Sequence, residues 1–291
     1  MMTRRIQSAA FSLFGLLVVL SVGPAMAQMP PGDEPPPPPP PPPSAVGPAA
    51  PAPLPRSAEQ LGQLVRRIAL YPDPLLAQVL TASTYWDEIP EAADWARRHG
   101  YLRGDALAAA IQEDGLRWAP SVLALLPFPS VLDAMAKDPA WTEELGRAVL
   151  TQRAEVMDAV QGMRREAYRY GYLRTNPYNR VADAGGSIEV LPVNPAYVYV
   201  PAYDPFVVFG PPPPGILVGG AVHVAPAVVI AAGFYPWGWA HPYLAWSSHL
   251  IYFDETPWGR GWANRVYYAH SYAHPPARQA GHRTERHEQR R

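Results

Sequence analysis

Two aspartates stand in similar Tyr/Pro/Asp settings, Asp73 in the segment 71–74 and Asp204 in the segment 203–205. Two carboxylates brought together by folding could share acid and nucleophile roles, as in retaining glycosidases, where the groups lie about 5 Å apart. Asp73 also directly precedes Pro74 and an apolar run, an arrangement typical of a helix N-cap followed by proline at the first helical position. We therefore expect Asp73 to cap a helix, with the catalytic pair as the alternative.

Two other groups of side chains have metal-ligand character. Asp87, Glu91 and Asp94 would share one face of a helix and could hold a calcium ion or supply an acid/base pair. Acidic residues early in a helix are, however, favoured by the helix dipole alone. His270 and His274 have the spacing of helical zinc ligands, but no glutamate completes a His-Glu-x-x-His motif there and no helical apolar stripe surrounds them. We expect no metal and no cofactor.

The C-terminal third is rich in aromatic residues, with 12 in the segment 235–272. Tryptophan and tyrosine rings have flat apolar faces and polar edges, which suit stacking on the sugar rings of cell-wall glycan. In the alternative, which we favour, the rings form a packed aromatic core or an irregular cover over a sheet. The candidate glycan-binding or partner-binding residues are Trp237, Trp239, Trp246, Trp258 and Trp262.

Composition excludes several classes of function. The absence of cysteine rules out a disulfide scaffold, a cysteine zinc site and a thiol nucleophile. A formal net charge of −1 argues against a nucleic-acid-binding protein, which would be strongly basic. The sequence has no Gly-x-Ser-x-Gly elbow, P-loop or dinucleotide fingerprint. Serine, histidine and aspartate are scattered along the chain, so a Ser/His/Asp triad stays open.

The N-terminus has the order of a secretory signal. Arg4 and Arg5 precede the apolar run 9–20, and Ala25-Met26-Ala27 is a small-x-small cleavage site. A membrane-spanning helix needs about 20 apolar residues, more than this run provides. We expect residues 1–27 to be a signal peptide that is cleaved after Ala27, placing the protein in the periplasm or cell envelope. The alternative is an uncleaved anchor.

Residues 28–56 form a proline-rich linker. Fifteen prolines lie within 28–55, nine of them consecutive from Pro35 to Pro43. Proline lacks a backbone N–H and has a fixed φ, so this segment is predicted to be a semi-rigid polyproline II spacer. The alternative, which assigns a more specific function, is a docking peptide for proline-binding modules.

Helical periodicity begins at Ser57, where Ser57 and Gln60 fit a capping box. Further helices are predicted to start at Asp73, to cover 89–99 and to start at Asp105. Asp138-Pro139 is predicted to open the longest helix, which continues to about residue 170. Its apolar stripe consists of Trp141, Leu145, Val149, Val156, Val160, Met163, Ala167 and Tyr170.

Strand patterns follow the helices. Ile188–Leu191 and Ala196–Val200 are predicted to pair as an antiparallel hairpin through the turn 192–195, completing a domain over 57–210. Residues 211–275 are predicted to be a hydrophobic Gly- and aromatic-rich tail, and 276–291 a charged disordered end.

The run 215–234 is long and apolar enough to suggest a membrane segment, or peripheral association with a membrane. Its internal His223 and Pro226 favour buried strands or a loose apolar loop instead.

Several blocks, taken in order, resemble the bacterial domain of unknown function 3300 family. They are IALYPDPLLAQVLTASTYWDEIPEAADWARR, GDALAAAI, WAPSVLALLPFPSVLDAMA, WTEELGRAVLTQRAEVMDAVQGMRREA and EVLPVNPAYVYVPAYDPFVVFG. The resemblance covers about residues 58–210. It implies an exported protein and carries over no catalytic residue, because the family is uncharacterised.

The fold we predict is α+β: a mainly helical domain with a small antiparallel hairpin or sheet and an irregular aromatic-rich C-terminal tail. The function we favour is a non-enzymatic interaction or structural module of the envelope, whose partner is an envelope protein or cell-wall glycan. The alternative is a periplasmic hydrolase that cuts cell-wall glycan or peptide through a carboxylate pair such as Asp73 and Asp204.

Overall fold

The computed structural model describes residues 55–212, 214 and 221–260. These residues form a mainly helical structure with small antiparallel sheets, which confirms the predicted α+β class. The predicted signal peptide, most of the proline-rich linker and the charged end at 276–291 lie outside the described residues.

Two of the predicted helix caps are present in the structure. The capping box is present, because Ser57 Oγ accepts from the Gln60 N–H at 3.3 Å and Gln60 Oε1 accepts from the Ser57 N–H at 2.9 Å. Asp138 caps a helix by accepting from the Trp141 N–H at 3.1 Å. The helices are α1 (Ala58–Val65), α2 (Asp73–Ala82), α3 (Ile89–Arg98), α4 (Gly104–Glu113), α5 (Pro120–Leu123), α6 (Pro129–Lys137), α7 (Pro139–Thr151), α8 (Arg153–Arg169) and α9 (Pro205–Val208).

The predicted single long helix from Asp138 to about residue 170 is wrong, because Gln152 interrupts it with φ −141° and ψ 44°. The Gln152 side chain holds the backbone of Arg56 instead: its Oε1 accepts from the Arg56 N–H at 2.7 Å and its Nε2 donates to the Arg56 carbonyl at 3.1 Å. This break allows α7 and α8 to pack separately against α1. Because the apolar stripe continues across this break, the sequence pattern did not indicate the break.

The strands are β1 (Asn179–Ala184), β2 (Ser187–Pro192), β3 (Tyr197–Val198), β4 (Pro201–Tyr203), β5 (Val222–Val224), β6 (Val228–Val229), β7 (Tyr243–Ala245), β8 (Leu250–Phe253) and β9 (Thr256–Pro257). They pair antiparallel as β1–β2, β3–β6, β4–β5 and β7–β8–β9.

The predicted hairpin between 188–191 and 196–200 is therefore wrong. β2 pairs with β1, through a two-residue loop at Gly185 and Gly186 with φ values of +64° and +91°. Glycine takes such angles without steric cost, which suits this type of hairpin turn. β1 was missed because its sequence, NRVADA, lacks apolar alternation.

The larger of two apolar clusters joins the helices to the segment 221–260, and the smaller one lies under the β1–β2 hairpin. Helix α2 lies at the centre of the larger cluster, with Leu75 to Ala82 buried throughout. Phe234 and Phe253 are fully buried in the same cluster. Part of the predicted irregular tail is therefore well packed, because Phe234 and Phe253 lie in the cluster, although Tyr235 and Tyr243 of the same segment are exposed.

The apolar run 215–234 is described in part, since residues 215–220 lie outside the described residues. Its later portion contains β5 and β6, which pair with β4 and β3. None of the helices in the described ranges combines the length and apolar composition that crossing a bilayer requires.

Gly146 marks the closest approach of α7 to the 3₁₀ turn Ser83–Tyr85. A Cβ at this position would lie 2.0 Å from the Ser83 carbonyl oxygen. Gly146→Ala should lower the free energy of unfolding by about 1–3 kcal/mol, the usual cost of overpacking, as measured by urea denaturation.

Gly162→Ala is the matched control, because no described atom lies within 4 Å of the position its Cβ would take in α8. It should raise the free energy of unfolding by about 0.5–1 kcal/mol, since alanine is the better helix former. Equal effects of the two substitutions would contradict the packing of α7 against the turn.

Candidate functional site

The side chain of Arg164 on α8 is completely buried and fully engaged. Its guanidinium donates at 2.8 Å to each of three backbone carbonyls, those of Ala69, Tyr71 and Ile188. Its Nη1 also lies 2.6 Å from Oδ1 of Asp73. Arg164 thus joins α8, the connection between α1 and α2, the start of α2 and strand β2.

Asp73 completes this centre and does not cap α2, contrary to the sequence-based expectation. Its side chain makes no capping hydrogen bond and is 2% exposed. Oδ1 accepts from the Val190 N–H at 3.3 Å, and Oδ2 accepts from Trp246 Nε1 at 3.1 Å. Burial raises the pKa of the Asp73 carboxyl above its ordinary value, while Arg164 and the two N–H donors oppose that rise.

The indole of Trp246 has a second role at the same place. The guanidinium carbon of Arg164 lies 4.9 Å from the centre of the Trp246 ring, within the range of a cation–π contact. The sequence analysis did not single out Arg164, although its position within an apolar stripe indicates a buried side chain. It lies four residues after Val160 and three before Ala167, within the apolar stripe of α8.

Asp204 is exposed and caps α9, with its Oδ1 accepting from the Phe206 N–H at 2.8 Å. Asp73 is buried and bonds inside the core, and the two aspartates have no hydrogen-bond partner in common. In this conformation the Asp73 carboxylate is not open to a substrate.

The candidate tryptophans lie mostly in the core. Trp239, Trp246 and Trp258 are buried, with Trp239 Nε1 donating to the Ala124 carbonyl at 2.9 Å. Trp237 is half-buried and packs edge-on against Phe234. The packed-core interpretation therefore describes the three buried rings, whose faces are covered by protein. Trp262 lies outside the described residues.

The metal candidates gain no support from the described part of the chain. Asp94 pairs with Arg97 at 2.9 Å on the surface of α3. Within residues 55–212, 214 and 221–260, no three potential ligands are grouped so that they could hold a metal ion. His270 and His274 lie outside those ranges.

The structure reveals a cavity that the sequence did not indicate. It lies beside the end of α8, the β1–β2 hairpin and strands β4 and β5, and its volume is about 370 Å³. We call it the hairpin cavity. Its wall includes Tyr172 and Asn179, which are 7% and 5% exposed. Tyr172 Oη and Asn179 Oδ1 are buried without a hydrogen-bond partner in the described structure.

Glu88, just before α3, is a carboxyl group with an altered proton affinity. Burial raises its pKa to about 7, and the neighbouring Asp87 adds to this. The Ala119 N–H, donating to Glu88 Oε2 at 2.6 Å, and the charge of Arg260 act in the opposite direction. A carboxyl that titrates near neutrality can serve as a general acid or base. A raised carboxyl pKa also occurs where the group is buried for structural reasons alone.

Residues 57–288 match the family model described as "Protein of unknown function (DUF3300)". The chain belongs to the DUF3300 family. This match begins at the capping box of α1 and includes the segment after 210, in agreement with the shared core.

Among curated proteins, this DUF3300 member is 34% identical over 186 residues to the "Uncharacterized protein YacH" of Escherichia coli strain K12. The match covers 53% of this chain and 30% of that relative, so the chain spans less than a third of the longer protein. No solved structure matches the chain. Neither the family nor this relative indicates an activity.

Asp73→Asn should destabilise the fold strongly, because it leaves the charge of Arg164 buried without a counterion. Breaking a buried ion pair from one side costs about 3–5 kcal/mol. Asp204→Asn is the matched control and should change stability little, since asparagine caps helices as well as aspartate does. Thermal and urea unfolding would measure both. A near-neutral Asp73→Asn would show that the ion pair does not hold the core.

Glu88 makes stability depend on pH. The folded carboxyl binds its proton more tightly than the unfolded one, so stability should fall as pH rises from about 4.5 to about 7. Glutamine does not titrate, so Glu88→Gln should remove about 1–2 kcal/mol of this decrease in the free energy of unfolding. The value is discounted for partial exposure to solvent.

Urea denaturation at several pH values would test this. Glu91→Gln, which removes an exposed carboxyl on α3, is the control and should keep the slope of the unmodified protein. An unchanged slope in Glu88→Gln would contradict the assignment.

Proposed function

We propose that this protein is exported, cleaved after Ala27, and acts in the periplasm as a non-enzymatic module that binds cell-wall glycan. The observation that carries the proposal is two pairs of tyrosines at the surface, one of them stacked. The rings of Tyr243 and Tyr252 are 4.7 Å apart and parallel within 2°, and those of Tyr178 and Tyr199 are 4.5 Å apart with their planes tilted by 37°.

These pairs suit carbohydrate binding because they lie at the surface, whereas Trp239, Trp246 and Trp258 are buried. Tyr178 and Tyr243 are each 41% exposed. A ring supported on one face by a neighbouring ring is held in place, so its open face can stack on a sugar without a large loss of side-chain entropy. The rigid core around Arg164 fixes the elements that carry the rings.

The burial of Asp73 favours a binding module over the hydrolase alternative. A carboxylate pair for glycoside hydrolysis needs both groups at the substrate. The Asp73 oxygens are instead occupied by Arg164, Val190 and Trp246 inside the core.

Two further parts of the proposal rest on sequence alone. The proline-rich segment 28–56 would separate the folded region from an attachment point, at about 3.1 Å per residue if it is polyproline II. Association of 215–234 with a membrane surface, and an envelope protein as partner, stay predictions.

The test is co-sedimentation of the mature chain with purified peptidoglycan sacculi. Protein recovered from the periplasm should begin at Gln28 by mass spectrometry, and should sediment with sacculi without releasing soluble glycan. Tyr243→Ala should weaken binding about 2–10-fold, the value of one aromatic stacking contact.

Tyr101→Ala is the control, because Tyr101 is 77% exposed and lies outside both tyrosine pairs. It should bind as the unmodified chain does. Release of soluble glycan fragments would favour the hydrolase. Absence of co-sedimentation, or equal losses in both variants, would overturn the proposal.

A further inference from the structure

The end of α8 and the chain that follows it carry three exposed arginines that lie close together. Arg165 and Arg169 are four residues apart on the helix, a spacing that makes their side chains neighbours on its surface. Tyr168, three residues after Arg165, lies on the same side of the helix. The guanidinium carbon of Arg174 lies 4.6 Å from the centre of the Tyr168 ring. We call Arg165, Arg169 and Arg174 the arginine surface.

The positive charges of the arginine surface have no carboxylate partner in the described part of the chain. None of the ion pairs there includes Arg165, Arg169 or Arg174. Glu166 is the acid nearest in sequence, but it is half-buried and pairs with none of the three. Arg169 instead donates to Tyr170 Oη at 3.0 Å, and its guanidinium carbon lies 4.7 Å from the centre of that ring.

The electrostatics of the helix itself explain only one of these charges. Arg169 lies in the last turn of α8, where the helix dipole favours a cation. Arg165 lies earlier in the helix and Arg174 lies beyond its end. Like charges four residues apart destabilise a helix slightly, so Arg165 and Arg169 together do not serve its stability. Three such charges, in a chain whose formal net charge is −1, are suited to a negatively charged partner.

The arginine surface adjoins one of the tyrosine pairs that we propose to bind glycan. Arg174 and Tyr178 both line the hairpin cavity, and both are exposed. Tyr178 is also the ring that pairs with Tyr199. A strand-like ligand stacked on Tyr178 could therefore reach Arg174 at the same time, and the other two arginines beyond it.

Carboxylates are the negative groups that fit this arrangement. A guanidinium presents a planar fork of N–H donors, which matches a carboxylate through two parallel hydrogen bonds. The peptides attached to cell-wall glycan end in free carboxylates, so the glycan strand carries both a sugar ring for Tyr178 and charges for the arginines. A phospholipid surface has negative charge as well, but it offers no strand of sugar rings to the tyrosine pair.

We propose that the arginine surface binds the free carboxylates of the peptides attached to cell-wall glycan, beside the sugar-stacking Tyr178. This inference rests on the proposed function, which supplies the glycan. It adds the charged group of the wall that the protein recognises and the residues that recognise it.

The experiment is co-sedimentation of the mature chain with sacculi whose carboxylates are either free or converted to neutral amides. Arg169→Gln and Arg174→Gln should each weaken binding to untreated sacculi about 2–5-fold, the value of one solvent-exposed ion pair. Amidation should weaken binding of the unmodified chain by at least that factor. It should also abolish the difference between the unmodified chain and the variants, because the charge that the arginines meet is then absent.

Arg98→Gln is the matched control. It removes the same charge from the last turn of α3, where Arg98 is exposed and belongs to no ion pair of the described residues. Helix α3 contributes none of the described lining residues of the hairpin cavity. This variant should bind as the unmodified chain does. Raising sodium chloride from about 50 mM to about 500 mM should shrink the effect of Arg169→Gln and Arg174→Gln, since salt screens exposed charges.

Melting temperatures separate loss of binding from loss of folding. Arg169 and Arg174 are exposed and hold no buried group, so their glutamine variants should melt with the unmodified chain. Equal binding to amidated and untreated sacculi would overturn the inference, as would equal affinities of the Arg98, Arg169 and Arg174 variants. Binding to phosphatidylglycerol vesicles that needs Arg169 and Arg174, when sacculus binding does not, would assign the surface to a membrane and also overturn it.

The outcomes distinguish this inference from the proposed function. Sacculus binding that survives amidation and both arginine substitutions, but is weakened by Tyr243→Ala, would leave the proposed function standing and this inference wrong. Sacculus binding that needs the carboxylates and the arginines, but is unaffected by Tyr243→Ala, would give the reverse result. Absence of co-sedimentation with untreated sacculi would overturn both.

Discussion

A guanidinium carried by α8 meets the carboxylate of Asp73 inside the core, and withdrawing both groups from water costs several kcal/mol. The cost is reduced because the guanidinium of Arg164 meets three carbonyls, one carboxylate and the Trp246 ring. Such a centre adds little net stability compared with an apolar one. It does require α8, α2, β2 and the segment around Trp246 to be present together.

This requirement explains why residues after 210 are part of the folded core. Trp246 and Val190 supply donors to Asp73 from two separate segments, so without them the carboxylate would be buried with unused acceptors. Gln78 adds a second link of this kind, donating to the Gly238 carbonyl at 2.8 Å from inside α2. The tryptophans Trp239, Trp246 and Trp258 close the core, whereas Tyr178 and Tyr243 lie at the surface.

The hairpin cavity contrasts with this centre. Around Arg164 the described polar groups are paired, whereas Tyr172 and Asn179 are left without partners a short distance along the chain. β1 brings Asn179 into the cavity wall, and the chain leaving α8 at Gly171 brings Tyr172 there. Gly171 adopts φ +87°, an angle that glycine accepts without strain. The same hairpin therefore completes the core on one side, through Ile188, and forms the cavity on the other.

The sequence by itself determined the starts of several helices, because caps and apolar stripes act over three or four residues. Ser57 and Asp138 cap as their local patterns predict. Only the tertiary structure decided the role of Asp73, because residues 71–74 taken alone suit an N-cap. The donors that hold its carboxylate instead come from Arg164, Val190 and Trp246, each about 90 or more positions away. Strand pairing and the cavity likewise could not be predicted from local sequence patterns, since both depend on contacts between distant segments.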